Sequence, residues 1–311
     1  MTAPAPPTVA ADPTVRPARA PRGTRSAARR GRRDKDSVLR HVLLLAACSY
    51  FLLPVYWVFV ASTKSTGELF DSPGLWFGRN IAIADNIRDL MNHDNGVYLR
   101  WLLNSLLYSG VGAAVATIIA AMAGYVFSRF EFAFKSFLFN VILGAVMVPA
   151  TALALPLYLM FSRVGLTNSY WSVLLPSLLS PLGVYLIRIY TDASVPMDLL
   201  EAARVDGAGE WYIFQRIATR LISPAMVTVF LFQFVTIWNN FFLPLVMLSD
   251  SKKYPVTLGL HALNVTPAFG GKVYYNLVIT GSMLSILPLI AGFLLLQRYW
   301  RSGLGMGSVV G

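Results

Sequence analysis

The chain is short of charge. Asp, Glu, Lys and Arg make up 13% of its 311 residues, against about 25% in an ordinary soluble domain. With 56% hydrophobic residues, too little polar surface remains to cover a soluble fold, which excludes most globular readings. Cysteine is nearly missing: Cys48 stands alone inside an apolar run and has no partner for an internal disulfide. The three histidines, His41, His93 and His261, are too far apart in sequence to form a local metal motif. No G-x-x-x-x-G-K-[ST] string is present, so the chain has no phosphate-cradling P-loop.

The net charge of +11 is uneven. Residues 1–40 hold ten Lys/Arg against three Asp/Glu, and the remaining 271 residues hold 16 against 12. The basic excess therefore describes a tail and implies no nucleic-acid partner. That tail is rich in Ala, Pro and Arg and has almost no large apolar side chains. It cannot bury enough surface to offset its ordering entropy and is expected to be disordered. The paired arginines Arg29–Arg30 and Arg32–Arg33 resemble a twin-arginine signal, but Asp34 and Asp36 follow them. No clear small-residue cleavage site follows the next apolar run. A solvated, positively charged anchor at the membrane surface is the better reading.

Six long stretches carry no Asp, Glu, Lys or Arg: 41–63, 101–128, 136–162, 164–187, 221–249 and 273–297. Each is at least as long as the roughly 20 residues a helix needs to cross a bilayer core. Lipid offers no hydrogen-bond partner to the backbone, so the spans are expected to be helices. The fold class is thus all-α, with six transmembrane helices over residues 41–298 and a short tail from 299 to 311. Pro54, Pro149, Pro156, Pro176, Pro181, Pro244 and Pro288 interrupt these runs; neighbouring helices can satisfy the freed carbonyls. The positive-inside rule puts the basic N-terminus in the cytoplasm, and an even span count puts the C-terminus there too. That orientation rests on residues 1–40. Span two carries a ridge of small residues, Gly112, Ala116, Ala120 and Gly124, where two backbones can approach closely, either within the bundle or between subunits.

The link between spans four and five, about residues 192–220, is long and patterned. Ser194 is a cap candidate, Pro196 and Asp198 suit a first helical turn, and Gly207 and Gly209 end a short helix. Trp211, Phe214 and Ile217 then recur at spacing three, beside Arg216 and Arg220, as an amphipathic helix would place them. Ala202, Ala203 and Ala208 give the first helix little bulk, so it can seat deeply in a partner's groove.

The string Glu201-Ala202-Ala203-x-x-Asp206-Gly207-Ala208, with Phe214, Ile217 and Pro224 beyond it, resembles the EAA loop of integral-membrane permeases in binding-protein-dependent ABC importers. Asn104-Ser105-Leu106, Pro156-Leu157-Tyr158 with Gly165-Leu166, Trp238-Asn239-Asn240 with Pro244, and a glycine-rich C-terminus are similar to the sugar branch, of the six-span maltose-transporter type. The resemblance implies a type I importer bundle in which Glu201, Ala202, Ala203, Asp206, Gly207 and Ala208 couple to a separate ATPase dimer. ATP and magnesium would bind in that partner, and this chain would hold no cofactor or metal and perform no catalysis. A second permease subunit, an extracytoplasmic solute-binding protein and the lipid of a bacterial inner membrane complete the implied partners. Two features depart from the family pattern. Arg220 stands where many members have proline, and the tail ends Gly307-Ser308-Val309-Val310-Gly311 without the lysine often found before the last glycine.

The cargo is read from what the spans contain. Ionisable groups inside a membrane ordinarily mark ion or proton coupling, and their absence disfavours an ion-coupled carrier and a strongly charged cargo. Asn104, Gln233, Thr236, Asn239, Asn240, Asn276 and Thr280 remain, with Tyr158, Tyr185 and Trp238 nearby in the pattern. Amides beside aromatic faces suit a neutral polyol, and Trp238, Asn239 and Asn240 are the candidate pathway group. The alternatives are a permease for another small solute and a membrane-embedded enzyme, for which no catalytic cluster within the spans is found.

Overall fold

The computed structural model describes residues 25–265 and 274–304, with side chains over 38–265 and 274–297. Among the described residues every regular element is helical, as a lipid environment requires of an open chain. The chain divides into a unit ending at Pro54 and a unit beginning at Val55.

The first unit is the greater part of helix α1, which runs Arg25–Ser62. Its side chains from Val38 to Leu53 are exposed, Leu45, Tyr50 and Phe51 among them. A helix whose apolar residues face outward all round is one that lipid covers. The helix begins inside the segment expected to be a disordered tail. Ala and Arg are strong helix formers, and residues 25–40 continue the turn of the apolar run. Residues 1–24 and the expected C-terminal tail residues 305–311 lie outside the described residues.

The second unit holds the bundle. Short helices α2 (Glu68–Asp71) and α3 (Ile83–Asn92) fill the loop that precedes the long helix α4 (Val97–Arg129). Then follow α5 (Lys135–Val146), α6 (Ala150–Arg163), α7 (Tyr170–Ser177), α8 (Pro181–Ser194), α9 (Met197–Val205) and α10 (Glu210–Tyr212). A π-helical turn over Ile213–Ala218 leads into α11 (Thr219–Trp238), and α12 (Phe242–Met247), α13 (Val256–Val265) and α14 (Tyr275–Leu304) complete the fold.

Among the described residues, five helical segments are long and apolar enough to span a membrane, and six if the bent pair α5–α6 counts as one span. The third charge-free run, which Pro149 and Pro156 interrupt, is sharply bent: its halves meet at 103°. Pro149 explains the break. It sits extended at ψ 127° ahead of α6, offers no N–H, and its ring disfavours helical backbone at Val148. The span of α7 and α8 is also interrupted, at 178–180, where the Ser180 hydroxyl accepts from Gly183 N at 3.2 Å and restarts the helix. Helix α13 lies in the stretch between the fifth and sixth charge-free runs.

The core lies where α4 packs against α8 and α11. The small-residue ridge faces that contact, which settles its use within the bundle. Ala116 and Ala120 are buried, and a Cβ on Gly124 would stand 2.6 Å from Ile187 Cγ2 and 2.9 Å from the backbone N of Arg188. A backbone atom cannot rotate away, so only glycine fits there. Around this contact Tyr125, Ile187, Ile222 and Val229 form one buried cluster.

At the other end of the bundle a row of α4 side chains holds the turn before α13. Trp101 Nε1 donates to Ser251 O (2.8 Å). Asn104 Nδ2 donates to Lys252 O and Tyr254 O (2.9 and 3.0 Å). Tyr108 OH donates to Lys253 O (3.0 Å), and Ser105 Oγ accepts from Val256 N (2.7 Å). Positions 101, 104, 105 and 108 share one face at helical spacing. Asn104, a candidate for contact with cargo on sequence grounds, is thus committed to this turn, and its Oδ1 accepts from Tyr170 OH at 3.1 Å.

Candidate coupling segment and translocation cavity

The candidate coupling segment is a knob on two anchors. Helix α9 starts after Pro196, which is extended at ψ 138°; no side chain caps it, because Ser194 is already the last residue of α8. Leu200 is fully buried and fastens the helix to the core beside Val195, while Ala203 packs partly against the same cluster. Glu201, Ala202, Val205 and Asp206 face outward, and Val205 is 88% exposed.

Gly207 turns the chain at φ +85°, a left-handed conformation that an L side chain adopts only at a cost. The turn is closed by Gly207 N to Arg204 O (3.0 Å) and Ala208 N to Ala203 O (2.9 Å), the pattern of a glycine helix stop. Nothing lies within 4 Å of a Cβ built on Gly207, so the chain itself demands glycine there for its backbone angle alone. Across the turn the Arg204 guanidinium meets the Glu210 carboxylate, Nε to Oε1 at 2.6 Å and Nη2 to Oε2 at 3.4 Å. That hydrogen bond, more than any other influence, raises the Arg204 pKa above its ordinary value.

Beyond the turn, Ile213 and Phe214 are buried and Trp211 is 61% exposed. The expected stripe of Trp211, Phe214 and Ile217 is therefore only partly the buried face. The π-helical turn widens the local repeat, so Ile213, Phe214 and Ala218 point inward instead. Such turns lengthen one side of a helix and recur at functional positions. The ends of α4 and α8 are tied beside this segment: Ser128 Oγ donates to Asp192 Oδ1, and Arg129 donates to the Thr191 carbonyl. The Arg188 guanidinium lies 3.9 Å over the Phe139 ring.

Elsewhere in the bundle, three helix breaks converge on one open cavity of about 430 Å³: the α5–α6 bend, the α7–α8 interruption and the α11–α12 turn. Its polar lining includes Gln233, Thr236, Asn240 and Thr151. Gln233 Nε2 donates to Ser177 O (3.2 Å) and Leu179 O (3.4 Å), the carbonyls that the α7–α8 break sets free. Of the candidate pathway group, Asn240 lines the cavity. Asn239 is exposed and donates to Val235 O within its own helix at 3.0 Å. Trp238 is buried, its ring stacked on Phe234 at 5.8 Å in a cluster with Leu90, Tyr98 and Trp101. Asn276 Nδ2 donates to Asn86 Oδ1 at 3.3 Å, away from the cavity. The structure thus separates the three residues that the sequence groups. It adds a polar set, Gln233 and Thr236 with Asn240, whose signal was a polar residue every three or four positions along span five.

The family model of the binding-protein-dependent transport system inner membrane component matches residues 113–304. Curated relatives agree along most of the chain. The arabinooligosaccharides transport system permease protein AraQ of Bacillus subtilis is 33% identical over 84% of this chain and 91% of its own length. The lactose transport system permease protein LacG of Rhizobium radiobacter is 29% identical over 89% and 98%. Among solved structures, a chain of a bacterial ABC transporter involved in the import of alginate shares the fold. It has a TM-score of 0.74 at 21% identity, covering 86% of this chain and 97% of that one. The chain belongs to the family of inner-membrane components of binding-protein-dependent transport systems. It is a multi-pass membrane permease.

Proposed function

We propose that the chain forms half of the translocation pathway of an ATP-driven sugar importer, a second permease subunit forming the other half. Hydrolysis belongs to a separate ATPase dimer that binds ATP and magnesium. An extracytoplasmic solute-binding protein delivers the sugar at the α13 end, and both termini and the α9 end face the cytoplasm.

The coupling knob carries this reading. Glu201, Ala202 and Asp206 project from the chain with Val205, while Leu200 and Ile213 root the same segment in the core formed by α4, α8 and α11. A force applied to the exposed face is passed to the core, because Leu200 and Ile213 are both fully buried in it. It must shift the helices that border the cavity. ATP-bound and ATP-free partners that hold the knob differently would then bias the pathway toward opposite sides, and the bias is reciprocal. Ala203, Gly207 and Ala208 keep the knob compact.

A sugar is supported by the neutral amide and hydroxyl lining of the cavity and by relatives named for arabinooligosaccharides and lactose transport. The test is uptake by the complex reconstituted in vesicles, with labelled neutral oligosaccharides and with amino acids. ATP-dependent uptake of a neutral sugar is expected. Uptake without any ATPase subunit, or of amino acids only, overturns the reading.

A further inference from the structure

A second concavity opens near the coupling segment, apart from the cavity that Gln233 and Asn240 line. It lies between α4 and the π-helical turn leading into α11, and has a volume of about 520 Å³. Its lining is apolar at Ile118, Ala121, Met122, Phe214 and Met226, and the exposed Arg216, Arg220 and Trp211 also border it. Arg216 and Arg220 are four residues apart across one helical turn and are both exposed. Neither pairs with a carboxylate among the described residues. The apolar stretch of span five starts at Leu221, directly after Arg220, so that border stands at the level of lipid headgroups, where Trp and Arg belong.

We propose that this groove seats an anionic phospholipid of the cytoplasmic leaflet, its phosphate between Arg216 and Arg220 and its acyl chain along Ile118, Met122 and Met226. Charge complementarity selects this occupant. Two adjacent guanidinium groups without a counter-charge match one phosphate diester, which they can hold by paired hydrogen bonds. The apolar lining adjoins them, as an acyl chain requires. Basic pockets between helices on the cytoplasmic side bind anionic headgroups in this way. The proposal rests on the reading that the α9 end is cytoplasmic.

The assembled importer, in nanodiscs of phosphatidylcholine mixed with phosphatidylglycerol, is released into a native mass spectrometer and its retained lipids are counted. Wild type should retain phosphatidylglycerol in preference to phosphatidylcholine. Each arginine contributes about fivefold near an anionic surface, so Arg216→Gln with Arg220→Gln should lower the preference roughly thirtyfold. Arg216→Lys with Arg220→Lys should keep most of it, which separates loss of charge from loss of fold. Soluble glycerol phosphate should not displace the lipid. Equal retention of phosphatidylglycerol by wild type and the glutamine pair overturns the proposal. So does a Thr219→Cys cross-link to a partner subunit with no lipid retained, which would make the groove a protein interface. The orientation is read separately, by labelling Gln215→Cys from either side of sealed vesicles. A wrong orientation is thereby distinguished from a groove that binds no lipid.

Discussion

Replacement of Gly207 separates two demands that the coupling knob places on one residue. The backbone there is left-handed at φ +85°, which costs a residue with a Cβ about 1–2 kcal/mol. Nothing within the chain lies within 4 Å of that Cβ, so no steric charge is added until a partner docks. At about 1.4 kcal/mol per tenfold, strain alone lowers the population of the native turn by roughly five- to thirtyfold. The bonds from Gly207 N to Arg204 O and from Ala208 N to Ala203 O are lost together when the turn opens. Asparagine tolerates the left-handed region better than other side-chain-bearing residues, whereas valine is stiff and branched. If backbone geometry is the main demand, transport per ATP hydrolysed in vesicles should fall in the order Gly, Asn, Ala, Val, with Gly207→Ala about tenfold down and the ATPase still turning over. If close seating against a partner dominates instead, Gly207→Asn should fail as badly as Gly207→Val. Undiminished coupling in Gly207→Val would refute the reasoning altogether.

Three further outcomes follow from the packing and the charges. Gly124→Ala places a methyl 2.9 Å from the Arg188 backbone N and should destabilise the bundle by about 1–3 kcal/mol, as overpacking does; a lowered melting temperature in detergent reads this out. Asn104→Ala leaves the carbonyls of Lys252 and Tyr254 and the Tyr170 hydroxyl without their partner. It should cost about 1–3 kcal/mol and speed amide exchange over 251–256 while leaving that over α9 unchanged. Asp250 caps the next turn: its carboxylate accepts from the Lys252 backbone N–H and from the Lys253 ammonium, which together hold its pKa below the usual value. A depressed folded pKa means stabilisation that is fully present above the ordinary carboxylate range and lost as pH falls through the depressed value. Protection of the 250–254 turn should therefore decline only in acid, and Asp250→Asn should remove that pH dependence.

The bilayer-length spans were legible because a charge-free run of that length has few other uses, and the knob was legible because its residues are fixed by sequence-local rules: a proline before the helix, a glycine after it. What the sequence hid depends on contacts between distant segments. Trp238, Asn239 and Asn240 are neighbours in the chain, but successive residues at a helix end point in different directions. One packs on Phe234, one faces out, and one lines the cavity. The cavity comes from breaks in three separate spans, and prolines at 149, 176 and 181 mark two of them without revealing that they meet. The π-helical turn over Ile213–Ala218 shifts the buried face away from the spacing-three stripe, because its local repeat is wider than that of an α-helix. The row Trp101, Asn104, Ser105 and Tyr108 was visible as helical spacing, yet its partners are backbone carbonyls and an N–H about 150 positions later, which no side-chain pattern announces.

The central claim is tested most directly by a cysteine at the most exposed point of the knob. In a Cys48→Ser background, Val205→Cys is the sole thiol of this chain. It is carried into the assembled importer in native membranes, with a single cysteine placed on the ATPase surface. A cross-link between the two is expected, with a yield that changes when ATP is added and hydrolysis is blocked. A thiol at 205 that never cross-links to the ATPase, and that a membrane-impermeant maleimide reaches from outside intact cells, would contradict it.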